Sequence, residues 1–234
     1  MVDFTADEEG LERIVGLVPT FKNKLFTEEI RKEKFAIRLE KKNEGFSTSA
    51  QIQYVGRAGN FYTKRNLPYT GALRVLKVIM GYDYLWNNVR VKGGAYGCMC
   101  NFGKTGESYF VSYRDPNLKK TMDIYENVGN YLRSFSADER TMTKYIIGAI
   151  SELDIPMTPV TKGSRSSGAY LSNLDFADVQ KERDELLACT QEDIRKLAEY
   201  MEAVMEENAI CVVGNGQMIE ENREMFGKIE NLFH

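Results

Sequence analysis

Two rhythms organise the apolar positions of this chain. In the first, apolar residues recur at i, i+3, i+4 and i+7, the mark of a helix with one buried face. Leu11, Ile14, Val15 and Val18 keep that spacing behind Thr5-Ala6-Asp7-Glu8, which has the form of a capping box, and Pro19 follows near the end. Ala72, Val75, Leu76, Ile79, Tyr82 and Trp86 form a longer stripe between Gly71 and Asn88, and Trp86 is expected to pack in the core. Leu118, Met122, Tyr125, Val128, Leu132 and Phe135 follow Asp115-Pro116. That pair suits a helix start, because Asp caps and Pro has no N–H to lose at the first position. Ser136 to Glu139 is a second box, ahead of Met142, Tyr145, Ile146, Ala149, Ile150 and Leu153. Thr190 to Asp193 resembles a third cap, ahead of Ile194, Leu197, Ala198, Met201 and Met205. Residues 178–187 are a further helical candidate, and a last short helix is expected around Met218, Ile219 and Phe226.

The second rhythm is that of strands. Residues 50–55 alternate apolar and polar, with Gly56 and Gly59 at the exit. Residues 95–113 read as a hairpin turning at Gly103-Lys104-Thr105-Gly106, with Tyr96, Cys98, Cys100 and Phe102 on one face. Ala209 to Val213 is a continuous apolar run that suits a buried central strand. Pro156 and Pro159 interrupt the helical pattern, and residues 160–169 suit a polar loop or the close-packed start of another helix. Residues from about 20 to 46, with Arg31-Lys32-Glu33-Lys34, read as a charged connecting segment. Single strands and a hairpin among clustered helices predict one α+β domain over residues 1–234. Its architecture should be a two-layer sandwich, with helices on one face of a mainly antiparallel or mixed sheet.

Composition narrows the function. The 234 residues carry a net charge of −3, which disfavours a nucleic-acid partner. No apolar run is long enough to suggest a membrane span. The four cysteines have no second spaced ligand pair, and no signal peptide is visible, so a cytoplasmic, reducing compartment is expected. Cys98 and Cys100 admit a C-x-C metal or redox site, or two small apolar residues on a strand, and the second reading is favoured. The single histidine is His234, the last residue. Serine- and cysteine-type catalysis usually recruits a His base, and zinc hydrolases usually need several His ligands. No cofactor is therefore expected in this chain, and no catalytic residue acting alone.

One segment remains chemically suggestive. Val89-Arg90-Val91-Lys92-Gly93-Gly94-Ala95-Tyr96-Gly97 joins a helix end to a strand start through a double glycine. Arg90 suits a helix terminus as a cation facing the macrodipole, and Tyr96 suits a half-buried strand position. Both could instead donate to a carbonyl or carboxylate brought close by the glycines.

The same segment, with Leu85-Trp86-Asn87-Asn88 before it, resembles the C-terminal domain of presequence proteases, of the pitrilysin/insulinase class of zinc metallopeptidases. Gln53 to Asn60, Ser112 to Leu118 and Thr143 to Gly148 resemble the same domain, in order. The resemblance runs from about residue 46 to the C-terminus. It implies the fourth of four similar α+β domains that enclose a chamber, with Met1 to Phe4 a remnant of the domain's first strand. It also implies zinc bound by an H-x-x-E-H motif in a first domain that this chain lacks. The N-terminal catalytic half of the same polypeptide and a peptide substrate would then be the partners. Arg90 and Tyr96 match an arginine that holds the substrate backbone and a tyrosine that stabilises the tetrahedral intermediate. The alternative is a stand-alone interaction domain of this fold, acting as a partner subunit.

Overall fold

The structure, a computed structural model, describes residues 3–26, 35–36 and 40–232. Met1, Val2, the run Arg31 to Lys34 and His234 lie outside the described residues. The chain divides into two compact units, Met1–Leu39 with Ile155–Val179, and Glu40–Asp154 with Gln180–His234.

The first unit is helical. Its first helix, Glu8–Val15, is capped by Asp7 rather than Thr5, and the Asp7 carboxylate accepts from the Gly10 N–H at 2.8 Å. Pro159 does not break a helix but opens one. The helix Pro159–Leu171 has Pro159 in its first turn and Thr158 as its N-cap. Of the two readings open for residues 160–169, the structure shows the helix. Gly163 faces Thr5, and a side chain there would collide with it.

The second unit holds a six-stranded sheet of β1 (Glu44–Thr48), β2 (Gln53–Asn60), β3 (Gly97–Phe102), β4 (Glu107–Asp115), β5 (Ala209–Asn215) and β6 (Lys228–Asn231), in the order β3-β4-β2-β5-β1-β6. Strands β3, β4, β2 and β5 are antiparallel neighbours, while β1 runs parallel to both β5 and β6. This is the expected mixed sheet of an α+β fold. Val55 of β2, Phe110 of β4, Cys100 and Phe102 of β3, and Ile210 and Val212 of β5 turn inward. They meet Leu76, Ile79, Met122, Tyr125, Leu132, Met201 and Val204 of the helical layer in one core. The opposite face shows Tyr54, Met99, Tyr109 and Cys211 to solvent.

Two elements replace what the pattern suggested. β1 begins inside the expected charged connection and runs past its end, and β6 follows Phe226, which is not helical. The helix expected at Asp115-Pro116 begins at Lys119, because Asp115 closes β4. The third cap forms as read: Thr190 and Asp193 bond reciprocally ahead of the helix Gln191–Lys196. Arg57 of β2 buries its charge within the sheet. Arg57 donates to Glu126 at 2.8 Å and to the Met205 carbonyl at 2.9 Å, which offsets the cost of removing it from water.

Candidate functional site

The helix Ala72–Ile79 does not stop at Ile79. It continues through wide, π-helical turns at Met80–Tyr84 and Trp86–Val91. There Leu85 bonds back to Met80 and Lys92 to Asn87, five residues rather than four. Such turns are frequent at functional sites. They also shift the buried face, which passes from Leu76 and Ile79 to Met80, Tyr84, Leu85 and Val89. Trp86 therefore leaves the core and is 41% exposed, against expectation. Its ring instead carries the Arg90 guanidinium, 3.9 Å from the ring centroid. A contact of this kind contributes about 0.5–2 kcal/mol and fixes the cation's direction.

The chain then reverses. Gly94 takes a φ of 85°, a conformation that L side chains rarely adopt, and its N–H returns to the Arg90 carbonyl at 2.8 Å. Asn117 reaches across and donates from Nδ2 to the Gly93 carbonyl at 2.6 Å. Tyr96 then precedes β3 rather than lying in it, and its ring is exposed where Cys100 and Phe102, expected on the same face, are buried. Its ring packs edge-on against Tyr113 at 5.6 Å, and Tyr113 stacks on Tyr54 at 6.4 Å. Tyr96 is 60% exposed.

The two residues singled out in the sequence are thus brought together. The Arg90 Nε donates to the Tyr96 carbonyl at 3.0 Å. Among the described residues, the terminal nitrogens of Arg90 and the Tyr96 hydroxyl have no protein acceptor, so these donors are available to a ligand.

A second group of residues escaped the sequence reading. Asp115 is fully buried and accepts from Ser112 Oγ at 2.6 Å, Thr121 Oγ1 at 2.8 Å and the Asn117 N–H at 2.8 Å. Between Ser112 and Asp115, β4 carries one residue more than β2 opposite it, a bulge facing Tyr54. Arg114 sits in this bulge at a φ of 48°. Its carbonyl accepts the Tyr96 N–H at 3.3 Å, and its guanidinium lies 5.2 Å from the Tyr96 ring centroid. In the sequence, Ser112 to Leu118 carried only part of the family resemblance and Asp115-Pro116 read as a helix start, so neither gave Arg114 or Asp115 a role at the site.

Among the described residues no group of three or more His, Cys, Asp or Glu is placed to hold a metal. Cys98 and Cys100 are free thiols. Burial pushes the Cys98 thiol up to about 11 and Cys100 up to about 12, as suits small side chains packed on a strand. Among the described residues no helix is long and apolar enough to cross a membrane.

Comparison with known proteins places this architecture. Pitrilysin superposes on 88% of the chain with a TM-score of 0.57 at 13% identity, the chain covering 23% of pitrilysin, so the fold is that of a pitrilysin-type peptidase domain. Sequence relatives are more specific. "Protein HypA" of Clostridium perfringens is 43% identical over 232 residues, which is 99% of this chain and 24% of that protein. "Presequence protease 1, chloroplastic/mitochondrial" of Arabidopsis thaliana is 35% identical over 184 residues, 78% of this chain and 17% of that protein. The profile of the PreP C-terminal domain matches residues 43–215, and the chain belongs to that family. It spans a quarter or less of the length of these curated relatives.

Proposed function

We propose that residues 1–234 work as the non-catalytic C-terminal domain of a peptide-degrading zinc metallopeptidase, completing a substrate chamber whose metal chemistry resides in a part of the protein outside this chain. One observation carries the reading: Arg90 and Tyr96, separated by a reversing turn, are joined by a hydrogen bond and leave their remaining donors free. Arg90 grips a peptide carbonyl in the ground state, since a charged donor bonds strongly to a neutral acceptor. Tyr96 donates its hydroxyl to the scissile carbonyl oxygen as that oxygen gains charge, where a preorganised donor acts most. The partners are then the N-terminal half of the same polypeptide and an extended peptide. Zinc, when bound in that half, supplies the Lewis acid and the activated water.

The longer protein and this chain should therefore differ in a simple assay. The longer protein should bind about one zinc per chain and cleave a fluorogenic peptide until a chelator is added. The 234-residue chain alone should do neither. Chelator-sensitive turnover by the short chain, or a longer protein with no zinc and no turnover, would overturn the reading.

A further inference from the structure

The bulge in β4 aims a second cation at the candidate site. Arg114 holds a left-handed backbone conformation that non-glycine residues other than Asn and Asp seldom adopt. Such strain persists only where the surroundings fix it, and bulges beside sites re-aim side chains. Here the fixing group is identifiable. Buried Asp115 gathers Ser112, Thr121 and the Asn117 N–H, and Asn117 ties the same corner to Gly93. A regular strand would alternate side chains strictly, and the extra residue between Ser112 and Asp115 breaks that alternation. The result is an exposed guanidinium over the Tyr96 ring, on the residue whose carbonyl Arg90 already holds.

Charge around the site points one way. Arg90 and Arg114 both meet Tyr96, and nearby Lys120 donates to the Lys92 carbonyl at 3.5 Å. Of the nearby carboxylates, Asp115 is buried and saturated with donors, and Asp123 is paired with Lys119. Arg114 has no carboxylate partner among the described residues. An electropositive corner on a chain of net charge −3 is a local arrangement, not a bulk property.

We infer that Arg114 is a substrate-facing, specificity-determining residue, which makes the Arg90–Tyr96 site favour peptides that bring a carboxylate to it, from an acidic side chain or the peptide's own C-terminus. This rests on the reading of Arg90 and Tyr96 as the substrate-facing pair. Arg114 supplies two N–H groups in a plane, the geometry that matches a carboxylate bidentately. Its contact with the Tyr96 ring, 5.2 Å from the centroid, keeps the guanidinium beside the bound peptide.

The test uses the longer protein and matched fluorogenic peptides, with Glu or Gln scanned through each position and the C-terminus as acid or amide. The carboxylate peptide should be preferred in kcat/KM by about three- to tenfold at one register or at the C-terminus, and salt should erode the preference. Scanned side chain and C-terminus separate the two sources of the carboxylate. Arg114→Asn removes the charge with a residue that accepts a positive φ, and should bring the ratio close to one. Arg114→Lys should restore part of it. A wild-type ratio near one everywhere, a ratio unaffected by salt, or a ratio that survives in Arg114→Asn overturns the inference. Equal loss on every peptide with an unchanged ratio also overturns it, because Arg114 would then only support Tyr96. If the longer protein cleaves nothing, the proposed function fails on its own. The same peptide pairs are then compared by fluorescence anisotropy, where a binding preference lost in Arg114→Asn sustains the inference and no preference ends it.

Discussion

The Nε of Arg90 donates to the main-chain carbonyl of Tyr96 at 3.0 Å, so two residues six positions apart are tied across the turn before any ligand arrives. The bond runs to backbone, not to the phenol. Arg90 therefore orients the strand start from which Tyr96 projects, and the Tyr96 hydroxyl keeps its freedom to donate.

That division of labour separates the two substitutions. In the longer protein, Tyr96→Phe should lower kcat by about 10²–10³ while KM changes little, because the lost hydrogen bond acts mainly on the charged oxygen. Arg90→Ala should raise KM and lower kcat together, since it removes both a ground-state grip and the tether of Tyr96. Melting temperatures should move little for Tyr96→Phe, whose ring contacts with Tyr113 remain. A folded Tyr96→Phe protein with unchanged kcat/KM would remove the hydroxyl from the chemistry.

Asp115 should matter for stability out of proportion to its size. Asp115→Ala strips the acceptor from two hydroxyls and a backbone N–H in a fully buried setting. Orphaned buried donors cost about 1–3 kcal/mol each, partly relieved by rotation of the hydroxyls, so a loss of about 2–4 kcal/mol is expected in urea unfolding. A change below about 0.5 kcal/mol, the ordinary range for surface substitutions, would show that the corner is not held as described.

Acid should weaken the unit through Glu182. Burial pushes its carboxyl up, but hydrogen bonds from Lys104 and Arg74 outweigh burial and hold it below the usual carboxylate range. Tyr69 adds a hydroxyl donor at 3.0 Å. A depressed folded-state pKa means that the stabilisation is full above the unfolded pKa of about 4.3 and disappears as pH falls through the folded value. Glu182→Gln should therefore cost about 1–3 kcal/mol at neutral pH, both cations being partly exposed. The gap between wild type and variant should close in strong acid. A gap of equal size at both pH values would contradict the pairing.

Thiol labelling at neutral pH should follow the two faces of the sheet. Cys211 is exposed and should react with a maleimide first. Cys98, half-buried and pushed up to about 11, should lag. Cys100 and Cys189, both buried and pushed up to about 12, should react only on unfolding. Mass spectrometry over a time course reads the order, and early labelling of Cys100 would put β3 the wrong way round.

The parts legible in the sequence were those whose cause is local. Ile194 to Met205 keeps a helical period behind a true capping box, and the β3–β4 hairpin carries its own turn, with Gly106 at a φ of 92°. β1 and β6 were not legible, because Glu44–Thr48 is short and mixed and becomes a strand only when β5 and β6 flank it. Trp86 was misplaced because a 3.6-residue period cannot represent a change of turn width. Arg90 and Tyr96 drew notice through their place about the double glycine, which left a packing role equally open, and only the family resemblance gave them their proposed roles. Arg114 did not, because its role comes from a bulge defined by Tyr54, some sixty positions away in the chain, and by the donors that converge on Asp115.

The wide turns between Met80 and Val91 make residue count part of this site's specification. Each α-helical residue rotates the chain by about 100° and advances it about 1.5 Å. Removing one residue from this stretch would let regular turns re-form without deleting any group that touches a ligand. A residue lost before Trp86 would rotate Trp86 and Arg90 together by about 100°, and Arg90 would point away from Tyr96. Length change here is thus a graver lesion than substitution, and a homologue that drops a single position would keep every side chain of the site yet lose their alignment.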